Sequence, residues 1–243
     1  MYAFESRVRY SECDETGRLS LASMVNYLQD ASTFQSEELD RGFASLGERA
    51  IAWILAAWRI EVDELPRLGE RVRVSTWCYD MSRSRALRCF SMTDAAGRDL
   101  VRADSKWFVY DVAAGHVAHV PDDQRIYLSD EPRARMAPLE RSLRPAGEAR
   151  AATRTAIRPH HLDTNRHVNN AQYVLFASDA LAELGHAGAV SCVSVQYRRM
   201  ALLGDVVVPR VSAWERGWDV DLADDAGSTY ALVRFEMRRE ETR

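Results

Sequence analysis

The chain has 243 residues, enough for one large domain or two small ones. Apolar residues make up 47% and charged residues 28%, a soluble globular balance, and no apolar run approaches the roughly 20 residues that span a bilayer. A net charge of −4 argues against wholesale nucleic-acid binding, and a start without a basic region and apolar core predicts a cytoplasmic protein with no membrane association.

In chain order, an alternating segment (Phe4, Val8, Tyr10) runs into a polar loop, Ser11 to Arg18. A helical pattern follows, with Leu21, Met24, Val25, Leu28 and Ser32 on one face and Gly42 as its expected stop. Trp53, Leu55 and Trp58 read as core residues. Trp58-Arg59-Ile60 precedes the turn Leu68-Gly69-Glu70, which leads to the strand Val74-Ser75-Thr76-Trp77. Asp94-Ala95-Ala96-Gly97 reads as a hairpin turn, and Ala103 to Val109 as the strand after it.

Pro121 to Gly147, with Pro132, Pro138 and Pro145 inside it and alternating charge, reads as a linker with a short helix. Ala151 to Ile157 then leads into His160-His161-Leu162-Asp163-Thr164-Asn165-Arg166-His167-Val168-Asn169-Asn170. A second helical pattern carries Ala171, Val174, Leu175, Ser178 and Leu181 on one face and stops at Gly185. Tyr197-Arg198-Arg199, the turn Leu203-Gly204-Asp205, Val211-Ser212-Ala213-Trp214, the hairpin turn Asp225-Ala226-Gly227 and the strand Tyr230 to Met237 repeat the first half's order. The chain is therefore an internal duplication: residues 1–120, a linker over 121–147, and residues 148–243.

Asp163, Asn165 and His167 place a carboxylate, a carboxamide and an imidazole at alternate positions before a helix N-terminus. An imidazole can take a proton from water, a carboxylate can orient it or attack directly, and a carboxamide can donate to a carbonyl. The backbone N–H groups of Val168, Asn169 and Asn170 are expected to polarise that carbonyl. Aligned by eye, the first-half loop has Gly17 where the second has Asn165, and no histidine. It reads as a copy without the chemistry, with Asp14 in a turn role.

Residues 162–173 resemble the D-x-N-x-H-V-N-N-x-x-Y motif of acyl-ACP thioesterases. Ala103 to Val109 resembles that family's S-K-W strand, and Tyr197-Arg198-Arg199 the start of its Y-R-R-E segment. The resemblance covers nearly the whole chain. It implies an α+β double hotdog fold, two long central helices each wrapped by an antiparallel sheet, with the sheets continuous. It implies a thioester hydrolase that frees fatty acid from acyl carrier protein in fatty acid biosynthesis. An acyl-CoA thioesterase on the same fold and a non-catalytic acyl-binding protein are the alternatives.

Carried over by position, the family's site gives Asp163, Asn165 and His167; its fourth member, a Glu, is replaced by Met200. Ala201 stands where plant members often carry Cys, which excludes a cysteine mechanism there. No metal or other cofactor is expected, since the histidines have no zinc-ligand spacing. Trp53, Trp58, Met24 and Leu28 are candidate acyl-chain lining. Acyl carrier protein is acidic, so Arg83, Arg85 and Arg88, the linker's Arg133, Arg135, Arg141 and Arg144, and Arg198 and Arg199 are candidate steering cations. A monomer and a homodimer both fit a duplicated fold. Cys13, Cys78, Cys89 and Cys192 form no CxxC pair and read as reduced structural thiols.

Overall fold

A computed structural model describes residues 1–145 and 147–238. The chain divides into two compact units, Met1–Leu139 and Glu140–Arg243.

The first unit comprises β1 (Tyr2–Arg7), α1 (Leu21–Glu38), α2 (Phe43–Glu48), β2 (Ile51–Val62), β3 (Arg71–Met81), β4 (Ala86–Asp94), β5 (Asp99–Asp111) and β6 (His116–Ala118). Its antiparallel sheet runs β1-β3-β4-β5-β2, with β6 paired to β5. Helix α1 packs on β1, β3 and β4. Ser20 caps it, its Oγ accepting the Ser23 N–H. The buried face is Met24, Val25, Tyr27, Leu28 and Ala31, rotated from the expected one so that Tyr27 and Ala31 replace Leu21 and Ser32. Tyr27 goes inside because its hydroxyl finds partners there, Glu12 at 2.8 Å and the Arg7 carbonyl at 3.2 Å.

Helix α1 stops two residues before the expected Gly42. Asp40, at φ 53°, closes it, with its own N–H on the Glu37 carbonyl and the Arg41 N–H on the Ser36 carbonyl. Gly42 instead caps α2, and the Glu37 carboxylate accepts the Phe43 N–H. The stretch after β6 begins with a short 3-10 helix, Asp122–Tyr127. Arg133 then fastens it to the sheet: its Nε donates to buried Asp104 at 2.8 Å, and the Tyr79 hydroxyl donates to the same carboxylate.

The second unit comprises β7 (Arg150–Ala151), β8 (Thr155–Ala156), α3 (Asn170–Glu183), β9 (Val190–Tyr197), β10 (Val206–Trp214), β11 (Gly217–Ala223) and β12 (Thr229–Met237). Its antiparallel order is β9-β12-β11-β10-β7, with β8 also on β10. Helix α3 packs on β10, β11 and β12 and buries Ala171, Tyr173, Val174, Phe176, Ala177, Ala180 and Leu181. Leu175, expected inside, is 37% exposed. The helix ends where expected, with Gly185 at φ 79° and the His186 N–H on the Leu181 carbonyl. Each unit is thus one long helix against an antiparallel sheet; among the described residues α2 has no counterpart in the second unit. Both hairpin turns recur, opened by Asp94 and by Asp224 (one residue before the Asp225 of the sequence match) and closed by Gly97 and Gly227 at positive φ.

Candidate active site

The loop between β8 and α3 is folded by Asp163. Its Oδ1 accepts the N–H groups of Asn165 (2.8 Å) and His167 (3.3 Å). The Asp163 N–H donates to the His167 carbonyl and the Arg166 N–H to the Asp163 carbonyl, which forces Arg166 to φ 63°. Leu162 and Val168 bridge across the loop's neck. Asn165 is exposed and Asp163 and His167 are half-buried, so all three sit in one seven-residue turn open to solvent.

The first unit folds the same loop. Asp14 Oδ1 accepts the N–H groups of Thr16 (2.9 Å) and Arg18 (3.1 Å), the Asp14 N–H donates to the Arg18 carbonyl, and the Gly17 N–H to the Asp14 carbonyl. Gly17 has φ 73°, and Cys13 and Leu19 bridge its neck. The bonds correct the alignment made by eye. Gly17 matches Arg166 rather than Asn165, because both occupy the left-handed position; Thr16 matches Asn165 and Arg18 matches His167.

The two loops are anchored alike behind the turn. The Val168 N–H donates to the Ala201 carbonyl (3.0 Å) and the Asn169 N–H to the His161 carbonyl (2.9 Å). In the first unit the Leu19 N–H reaches the Pro66 carbonyl and the Ser20 N–H the Glu12 carbonyl. Pro66 therefore matches Ala201, and Leu65 matches Met200. The expectation that the Val168 and Asn169 amides polarise a substrate carbonyl is corrected: both are engaged by the chain's own carbonyls. Asn169 is the cap of α3, its Oδ1 accepting the Ala171 N–H at 2.9 Å.

Two tyrosines, which sequence reasoning noted only as motif positions, complete the support. The Tyr173 hydroxyl accepts the Ala201 N–H (3.0 Å), and the Tyr197 hydroxyl donates to the Asn170 carbonyl (3.1 Å), with the rings edge to face at 5.5 Å. Burial pushes the Tyr173 phenol up to about 12 and the Tyr197 phenol well above its ordinary value, so both stay neutral anchors. The signal was Tyr173, placed one helical turn into α3 over its N-terminus. His161 is buried, its Nδ1 accepting the Arg158 N–H and its ring edge-on to Phe176 at 5.1 Å. Burial, with His160 and Arg158 nearby, holds its pKa below the ordinary imidazole value.

Met200, at the place of the resembling family's Glu, is 37% exposed. Met24, Leu28 and Trp58 lie fully buried in the first unit, and Trp53 is half-buried with its Nε1 donating to Gln124. Arg88 is not a surface cation: it is buried beneath α1. Arg85 is paired with Asp80, Arg133 with Asp104 and Arg199 with Asp224, and among the described residues no carboxylate pairs with Arg83, Arg135, Arg141, Arg144 or Arg198, all exposed. Burial raises the Cys78 and Cys89 thiols, the latter to about 12, so neither is a thiolate at neutral pH. Among the described residues no helix is long and apolar enough to cross a membrane.

The acyl-ACP thioesterase N-terminal domain model matches residues 1–127, and the acyl-ACP thioesterase C-terminal domain model matches residues 146–236. Among curated proteins, a chloroplastic acyl-[acyl-carrier-protein] hydrolase of Cuphea viscosissima is 25% identical, over 90% of this chain and 58% of its own. A chloroplastic oleoyl-acyl carrier protein thioesterase of Arabidopsis thaliana is 26% identical, over 82% and 60%. The chain thus spans under two thirds of the length of these relatives. Among solved structures, a putative oleoyl thioesterase from Lactobacillus plantarum aligns with TM-score 0.86 at 22% identity, covering 98% of this chain and 97% of that one. The 12:0-ACP thioesterase from Umbellularia californica aligns with TM-score 0.82 at 19% identity, covering 98% and 97%. The fold is the α+β double hotdog, and the chain belongs to the acyl-ACP thioesterase family.

Proposed function

We propose that the chain hydrolyses the thioester of fatty acyl-[acyl carrier protein], releasing free fatty acid, with Asp163, Asn165 and His167 as its site. The observation that carries this reading is the Asp163-folded loop, which sets three different polar groups in one turn ahead of α3. Relatives named for acyl-ACP hydrolysis support the choice of carrier.

In this reading His167 takes a proton from a water, and the resulting hydroxide attacks the thioester carbonyl carbon. The C–S bond breaks, and the proton on His167 passes to the leaving thiolate. Asn165 donates to the carbonyl oxygen in place of the engaged Val168 and Asn169 amides, and the positive end of α3 favours the oxyanion. Asp163 has one oxygen committed to the turn, as Asp14 has, so it acts by charge on the imidazolium rather than as the attacking group. Met24, Leu28 and Trp58, with Trp53, are the proposed acyl lining within the first unit.

The test is fatty acid release from acyl-ACP and acyl-CoA of matched chain length. The expected result is a higher kcat/KM on acyl-ACP whose KM rises with salt, as exposed cations steering an acidic carrier require. His167→Ala should lower kcat by about 10²–10⁴-fold. Equal rates on both carriers would replace this reading with acyl-CoA hydrolysis. No release from either would leave the acyl-binding reading, which Met200 favours because no carboxylate stands at its position.

A further inference from the structure

Arg88 projects from β4 into the interior of the first unit and is only 7% exposed. Its Nη1 donates to Gln35 Oε1 on α1 (2.7 Å) and to Thr76 Oγ1 on β3 (3.3 Å). Its guanidinium carbon lies 5.1 Å from the centre of the Tyr127 ring. Every partner is neutral, and among the described residues no carboxylate pairs with it. Cys78 and Tyr127 are its nearest titratable neighbours, and burial raises both, so neither supplies a negative charge at neutral pH. The other arginines held mainly inside the chain are paired: Arg59 with Glu61, and Arg234 with Asp219 and Glu140.

A guanidinium taken out of water without a counter-charge is strongly unfavourable, and it is tolerated where an anion completes it. Its fork matches a carboxylate with two parallel hydrogen bonds, and here only one nitrogen is used by the described residues. Beyond Gln35 and Thr76, the fork lies against an apolar cluster. Cys78, Met81, Ala86 and Tyr127 form a buried cluster with Leu39, Trp53 and Trp107 against it. Phe90, two residues along on the same face of β4, packs on Trp58 at 4.8 Å. One planar cation in an apolar surround fits a ligand with an aliphatic body and a carboxylate end.

We propose that Arg88 is the carboxylate-binding residue of a subsite inside the first unit, which takes the carboxylate end of an aliphatic acid. That chemistry has two sources, a free fatty acid or the far carboxylate of an ω-carboxyacyl thioester. The choice of an aliphatic ligand rests on the thioesterase reading; the need for an anion does not.

The test is thermal unfolding of the full chain with decanoate, with decanol, and with an ω-carboxydecanoyl pantetheine thioester, on the protein as it stands and on Arg88→Met and Arg88→Gln. Decanoate or the ω-carboxy thioester should raise Tm by several degrees where decanol does not, and both variants should lose that difference. Stabilisation by decanoate identifies a free acid as the ligand. Stabilisation by the thioester alone, with about a tenfold preference over its methyl-ended analogue that Arg88→Met abolishes, identifies the far carboxylate. Equal effects of decanoate and decanol without any thioester effect, or a carboxylate preference kept in the variants, overturns the proposal. Where neither variant folds, the ω-carboxy thioester against its methyl-ended analogue on the unaltered chain decides, because their thioester ends are alike and only the far end differs. Because Tm needs no turnover, this result can fail while hydrolysis succeeds, and the reverse.

Discussion

Arg166 and Gly17 occupy one position in two copies of the same loop, at φ 63° and 73°. The left-handed region costs a side-chain-bearing residue about 1–2 kcal/mol, so the second unit carries a strain that the first avoids. A Cβ at Gly17 would meet nothing within 4 Å, so Gly17→Ala tests strain alone. It should cost about 1 kcal/mol and lower Tm by about 2–4 °C. Arg166→Gly should leave Tm unchanged or raise it, since relief of strain offsets the greater freedom of glycine in the unfolded chain. A clear fall in Tm for Arg166→Gly would show that the Arg166 side chain stabilises the loop.

The two aspartates separate scaffold from chemistry. Asp14 and Asp163 make matching hydrogen bonds, but only Asp163 accepts the backbone N–H of a histidine, where Asp14 accepts that of Arg18. An Asn at either place keeps an acceptor oxygen for the turn, so Asp14→Asn and Asp163→Asn should each cost less than about 1.5 kcal/mol by thermal unfolding. Fatty acid release should fall by about 10²-fold or more in Asp163→Asn and stay unchanged in Asp14→Asn. Equal activities would make Asp163 a turn residue only.

Met200 can be tested in the gain direction. In the first unit Arg18, at the place of His167, reaches the Leu65 carbonyl at 2.6 Å, and Leu65 matches Met200. By that correspondence position 200 borders the place of His167, and a carboxylate there is predicted to act on the imidazole. Met200→Glu should raise kcat, by up to about tenfold, at little cost in stability because the side chain is part-exposed. An unchanged or lower rate would assign the fourth role to another group.

His161 predicts a pH dependence of stability. Its folded pKa lies below the ordinary 6.5 because burial opposes its charge. The unfolded chain therefore binds this proton first, so the contribution is complete above about pH 6.5 and is lost as pH falls through the lower folded value. Replacing the ring by His161→Asn removes that titration. Chemical unfolding between pH 7 and pH 5 should show a steeper loss of stability in the unaltered chain than in the variant. Parallel curves would show that His161 does not titrate on unfolding.

Much of the molecule was legible in the sequence because the second copy repeats the first. Gly185, Gly97 and Gly227 mark turns that only a residue free to adopt positive φ forms easily, and they lie where expected. The misreadings have a common physical source: long-range partners. Arg88 reads as a surface cation until Gln35, Thr76 and Tyr127, far off in sequence, enclose it. Tyr27 is not on the face the helical pattern picks out, and it turns inward because Glu12 and the Arg7 carbonyl meet its hydroxyl. The engaged amides of Val168 and Asn169 depend on the Ala201 and His161 carbonyls, which no local pattern announces. Gly17 corresponds to Arg166 rather than Asn165 because the property they share is a left-handed backbone, which the two residue types do not reveal.

Ala201 holds Val168 and Tyr173 through main-chain atoms alone. Such a fastening is blind to the side chain next door. Position 200 can therefore exchange carboxylate for thioether, or the reverse, and folding selects for neither. In a lineage built on this scaffold the fourth group would come and go under selection on catalysis only, while the loop and the helix behind it descend unchanged.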